Sequence, residues 1–208
     1  MNKELWTPTQ TIREVEPGLE ADTPQAFSFD AETDGLWGRP FALGALVYDE
    51  QGNEISRFAA RLPDDVVTNE WVKGNVLPAL EGVEVTHTKL RDMLGDFAKY
   101  YLQEKEDRNV IVHMGVPVES GVLRGMHSKG MIGDFDGPYP LIDVAGHLQM
   151  AGEDPTSPDA YVKKHGLYIP TDFAGETHNP LYDSEVAYRV WRHLMQRRGS
   201  LVLSHVNR

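Results

Sequence analysis

Between residues 26 and 62 the apolar side chains fall in short runs or at alternate positions, broken by turn residues. Phe27 and Phe29 alternate with small or polar neighbours, and residues 26–31 read as a half-buried strand. Residues 41–48 form a second, mostly apolar strand, and the EQGN turn at 50–53 returns the chain as a third over 54–62. Three strands joined so closely predict an antiparallel meander. The period is lost over 63–85, where WVKGNVLPAL leaves room for one short helical turn. It resumes at helical spacing with Leu90, Leu94, Phe97, Ala98 and Tyr101, and Thr86 or Thr88 is the expected cap. NVIVH, residues 109–113, is a short continuous apolar strand of the buried parallel kind. Helices are predicted over 117–127, 144–150, from Ser157 to about 165, and over 181–198, with a strand at 141–143 and loop over 166–180. A meander followed by alternating strands and helices predicts an α/β chain with a mixed sheet flanked by helices on both faces.

Three of these elements carry acids on their inward side. In the last helix Val186, Ala187, Val190, Trp191, Leu194 and Met195 form one stripe. Projected back one turn, it lands on Asp183, three residues before Val186 and four before Ala187. The helix after NVIVH repeats the arrangement, with Glu119 one turn before Val122 and Leu123 and two before Met126. In the first strand Asp30 and Glu32 are two residues apart, so both carboxylates point to one face. An acid in a first helical turn is favoured by the helix dipole, by about 0.3–1 kcal/mol, and taken singly each of these is ordinary. Four acids facing the same interior would be strongly destabilising without a cation. Oxygen donors with no cysteine point to Mg²⁺ or Mn²⁺ rather than Zn²⁺. His178 lies five residues before Asp183 in the loop that enters the helix, where it could reach a metal-bound water and titrate near neutral pH.

Composition narrows the classes. With 208 residues and 40% hydrophobic content the chain fits one domain with a packed core. We expect an irregular, polar N-terminal arm over residues 1–25 and the domain over 26–208. No apolar run approaches the roughly 18 residues of a membrane-spanning helix, and the N-terminus lacks the apolar stretch of a secretory signal. Cysteine is absent, which excludes disulfides and thiolate metal sites and agrees with a cytoplasmic location. The net charge of −12 argues against broad nucleic-acid binding, although an acid cluster built for divalent cations itself contributes to that charge.

FDAETDGL at 29–36 resembles the first motif of the DEDDh 3′–5′ exonucleases, and HNPLYD at 178–183 resembles their third, H-x4-D. VIVHMGVPVESGVLRGM at 110–126 occupies the second motif, and LIDV, containing Asp143, is similar to the strand-to-helix junction that follows it. The resemblance runs in order over about residues 26–198 and includes a feature of the RNase T-like branch, the PVE and WVKGNVLP segments. It departs in one place: Glu119 stands where the family carries Asp. Asp134, Asp136 and Asp143 are the alternatives for that position. The resemblance implies an RNase H-like fold, with a five-stranded mixed sheet and helices on both faces. It implies a metal-dependent 3′–5′ exonuclease in which Asp30, Glu32, Glu119 and Asp183 hold two Mg²⁺ or Mn²⁺ ions and His178 is the general base. Its partner would be a nucleic acid with a free 3′ end, DNA or RNA, and it allows a homodimer. Leu36 and Trp37 stand at the end of the first motif, where the family presents an apolar wedge to the terminal bases, and Thr33 within it is a further expected substrate contact. A non-catalytic nucleic-acid-binding module of the same fold and a cation-binding structural protein are the alternatives.

Overall fold

The computed structural model describes residues 24–170 and 177–206, with side chains as far as 197. The expected N-terminal arm lies, up to residue 23, outside the described residues, as do residues 171–176 of the long loop. The chain is α/β. Five strands, β1 (Ala26–Thr33), β2 (Pro40–Tyr48), β3 (Glu54–Arg61), β4 (Asn109–Val112) and β5 (Leu141–Asp143), form one mixed sheet in the order β3-β2-β1-β4-β5. The first three are an antiparallel meander, and β4 and β5 join in parallel to β1 and to each other. Parallel pairing requires crossovers. Helices α2 (Leu90–Glu104) and α3 (Val118–Ser128) supply them.

β1 decides what each face of the sheet buries. Its odd-numbered residues Phe27, Phe29 and Ala31 join Met93, Leu94, Phe97, Ala98 and Tyr101 of α2 and Val122 and Met126 of α3 in one core. On the other face Ala26, Leu46, Tyr48 and Ile111 pack beneath α4 (Val144–Met150), α5 (Pro158–His165) and α6 (Pro180–Val206). The stripe predicted for the last helix is the packed face of α6: Val186, Ala187, Val190 and Trp191 are all buried. Because side chains alternate along a strand, Ser28, Asp30 and Glu32 fall on the α6 side of β1.

Two local expectations are corrected. Neither threonine caps α2: Lys89 is the cap residue and makes no side-chain cap bond. Thr86 Oγ1 instead accepts from the Arg61 amide at 3.0 Å, which ties the loop to the end of β3. The stretch over 63–85 holds more than one helical turn, namely α1 (Glu70–Asn75) flanked by 3-10 turns at Asp64–Val66 and Leu77–Leu80. Val67, Val72, Val76 and Leu80 are buried there. Tertiary burial, rather than helical periodicity, orders this segment.

Candidate metal centre

The acids meet where β1 ends under the start of α6, near the carboxyl ends of the parallel strands, where open α/β sheets present their crevices. Two features of sequence bring α6 close enough. Gly44 is paired directly across from Asp30, and a Cβ there would lie 2.5 Å from the Pro180 carbonyl carbon. Only a residue without a side chain lets the α6 backbone settle on the sheet at this point. Ser28 Oγ then donates to the Ser184 carbonyl at 2.8 Å, and Ser184 Oγ donates to the Pro180 carbonyl at 2.6 Å. Both serines are fully buried, so these bonds fix the first turn of α6 against β1.

The result is a tight acidic cluster. Asp30, Glu32 and Asp183 each offer a carboxylate oxygen within 4.8 Å of the other two. Asp30 Oδ2 is buried and has no hydrogen-bond partner. Glu119 is buried beside them, and its Oε1 accepts from the Ala31 amide at 3.2 Å. The α3 stripe therefore delivers Glu119 to the backbone between the two β1 acids. His178 closes the cluster from the loop side. Its Nδ1 lies 3.4 Å from Glu32 Oε1, and its amide donates to Asp183 Oδ2 at 2.8 Å. It holds a left-handed backbone, φ 76°, which a side chain other than glycine adopts seldom and which histidine tolerates better than most.

The electrostatics follow from this crowding. Burial, then the charges of Asp183, Glu119 and Glu32, push the Asp30 carboxyl well above the ordinary range. Burial, with Glu32 nearby, raises Asp183 to about 8 in spite of the His178 amide. Burial raises Glu119 to about 8 against the opposing amide bonds. Burial raises Glu32 too, partly offset by His178, and the bond to Glu32 raises His178. Among the described residues, the leading causes of these shifts include no lysine or arginine. An orphaned carboxylate oxygen among converging hard donors fits a divalent cation such as Mg²⁺ or Mn²⁺.

The three alternatives to Glu119 make scaffold bonds. Asp143 accepts from the amides of Met114, Gly115 and Ala145 at 2.9–3.1 Å, joining the β4–α3 loop to the start of α4. Asp136 accepts from the Gly133 amide at 2.6 Å, and Asp134 meets His127 Nε2 at 2.7 Å.

Thr33, Leu36 and Trp37 stand apart from the acids and line an adjoining groove of about 330 Å³ with Pro117, Val118 and Arg124. Leu36 and Trp37 are exposed, and Thr33 Oγ1 bonds to the Gly35 carbonyl at 2.9 Å. The positioning residues Ser28, Gly44 and Ser184 escaped sequence reasoning. Gly44 carried a usable signal, because an isolated glycine inside an apolar strand marks a close backbone approach. Ser184 is a small polar residue next to the inward-facing acid, with no pattern of its own.

No protein-family model matches the chain. No curated protein matches it either. Solved structures do, among them exonuclease X in complex with 5′ overhanging duplex DNA, at a TM-score of 0.57 and 15% sequence identity, covering 84% of this chain and 93% of that one. At this identity the similarity establishes the fold, which is of the RNase H-like exonuclease kind.

Proposed function

We propose that the chain is a metal-dependent 3′–5′ exonuclease that removes nucleoside 5′-monophosphates from the 3′ end of DNA or RNA. The observation that carries this reading is the convergence of Asp30, Glu32 and Asp183 within 4.8 Å, with one Asp30 oxygen buried and unpartnered. Asp30, Glu32 and Asp183, with Glu119 bonded to the Ala31 amide between the two β1 acids, would hold two Mg²⁺ or Mn²⁺ ions. When bound, such ions neutralise the acids, acidify a water and stabilise charge on the scissile phosphate.

The chain's own groups do the rest. His178 Nδ1 faces Glu32, so the tautomer that donates there leaves Nε2 as an acceptor. Nε2 takes the proton of the attacking water, the water oxygen bonds to phosphorus, and the P–O3′ bond breaks; the O3′ left on the shortened strand takes a proton from solvent to become a 3′-hydroxyl, and the nucleoside 5′-monophosphate departs. The exposed Leu36 and Trp37 and the neighbouring Thr33 would receive the terminal nucleotides in the groove beside the acids. The fold similarity to a protein solved with duplex DNA supports nucleic acid as the partner.

The test incubates the protein with 3′- and 5′-labelled DNA and RNA oligonucleotides in Mg²⁺, Mn²⁺ or EDTA. A ladder shortening from the 3′ end, dependent on the metal and absent from Asp183→Asn, is expected. An oligonucleotide that is retarded on a gel but left intact would instead identify a binding module. One neither bound nor cut, with the metal still bound by the protein, would identify a structural cation site.

A further inference from the structure

One exposed aromatic outside the acids and the groove touches the candidate base. The Trp71 indole stands perpendicular to the His178 imidazole, at 90° with ring centroids 5.9 Å apart. Trp71 is 61% exposed, so core burial does not account for its position. The backbone beneath it is nevertheless held by several bonds. Asn69 Oδ1 accepts from the Trp71 and Val72 amides at 3.0 and 3.2 Å. Asp34, two residues after Glu32, accepts from the Thr68 and Asn69 amides and from Thr68 Oγ1 at 2.6–3.0 Å. Gly35 permits this approach, since a Cβ there would lie 2.8 Å from Asn69 Nδ2. The turn that follows the β1 acids is thus latched to α1, and α1 places an indole against the imidazole.

His178 needs such support. It sits in a loop, its side chain is 36% exposed, and its contact with Glu32 is long, at 3.4 Å. A single long polar contact leaves an imidazole free to turn about χ2, whereas a perpendicular ring on a second side restricts that rotation. We propose that Trp71 is a positioning residue for His178, holding the imidazole in the orientation that Glu32 selects. The proposal rests on the exonuclease reading for its consequence in turnover, and on the ring contact alone for its structural part.

Steady-state cleavage of a labelled oligonucleotide in Mg²⁺ is compared for wild type, Trp71→Ala, Trp71→Leu and Trp71→Phe. In parallel the His178 ring-proton resonance, assigned by its loss in His178→Gln, is recorded without metal or substrate. Both Trp71→Ala and Trp71→Leu should lower kcat about tenfold, the scale of a slightly misplaced catalytic group. KM should stay within about twofold, and Trp71→Phe should recover most of kcat, because an aromatic ring rather than bulk is required. The His178 resonance should move in the alanine and leucine variants, which lack the indole ring current. Unchanged kcat, a higher KM at constant kcat, or a leucine variant as active as the phenylalanine one would overturn the proposal. If alanine unfolds the chain, the leucine and phenylalanine pair decides. A wild type that cuts nothing removes the exonuclease reading, and the resonance then decides alone: unmoved in Trp71→Ala or Trp71→Leu, it refutes the contact.

Discussion

Asp183 and Glu185 are two residues apart on α6, both acidic, and they are treated in opposite ways. Glu185 is 1% exposed and fully met by the protein: it bonds with Tyr48 Oη, and Arg189 Nε donates to it at 2.6 Å. Tyr48 also stacks on Tyr188, with ring centroids 3.5 Å apart, so that acid belongs to a packed polar knot. Asp183 faces Asp30 and Glu32 instead, and the ion-pair partner found for this group among the described residues is the partly exposed His178, 3.4 Å from Glu32. Burying a charge is tolerable when a partner of opposite charge and hydrogen bonds accompany it. Where the chain supplies both, the acid is part of the architecture. Where several acids gather and, among the described residues, no lysine or arginine is paired with them, the cluster is suited to a cation supplied from outside.

The sharpest way to break this contrast is to neutralise one acid of each kind. Asp30→Asn or Asp183→Asn should reduce metal-dependent cleavage by on the order of a thousandfold or more, read from the oligonucleotide ladder. In EDTA the same variants should melt higher than wild type, because like-charge repulsion is relieved. Retained activity in either one would undo the two-metal assignment. His178→Ala should lower turnover by on the order of a hundredfold while oligonucleotide affinity, measured in Ca²⁺, stays nearly constant. Equal losses in both would place His178 in binding rather than proton transfer. Glu185→Gln should do the reverse of the Asp183 change. It should cost about 1–3 kcal/mol of stability, seen by denaturant titration, and leave the activity of the folded fraction intact.

The smallest effect is a pH dependence. A carboxyl whose pKa is higher in the folded chain keeps a proton there that the unfolded chain has already released. The metal-free protein should therefore lose stability as pH climbs from the unfolded carboxylate range, about 4, to the value of about 8 reached by Asp183 and Glu119. His178, also raised, works in the same direction, since its contribution fades as pH passes its folded pKa. On the proposed reading Mg²⁺ would bind the ionised acids, so the gap in Tm between Mg²⁺ and EDTA should widen by a few degrees, roughly, from pH 5 to pH 8.5 in calorimetry. A gap that stays constant over that range would count against coupling between the cluster and the ion.

Much of the fold was legible because periodicity reports burial directly. The α6 stripe pointed to Asp183 and the α3 stripe to Glu119, and strand parity set Asp30 and Glu32 on one face. The five-stranded mixed sheet and the meeting of acids more than 150 residues apart came from family resemblance, and the strand order came only with the structure, since local pattern contains no long-range pairing. What stayed hidden is held by tertiary contacts. The α1 segment has no helical period and is ordered by the Asp34 latch and by buried Val72. Thr86 has the chemistry of a cap, yet the Arg61 amide claims it. The pairing of Trp71 with His178, more than 100 residues apart, has no local signal and is purely tertiary.

Gly44 offers a control of a kind that mutating the acids cannot. A methyl group at this position would collide with the Pro180 backbone and wedge α6 off the sheet. A Gly44→Ala chain would carry every carboxylate and the histidine of the parent, at identical net charge, yet hold them at the wrong separation. Such an isoelectric twin separates what the inventory of ligands contributes from what their spacing contributes.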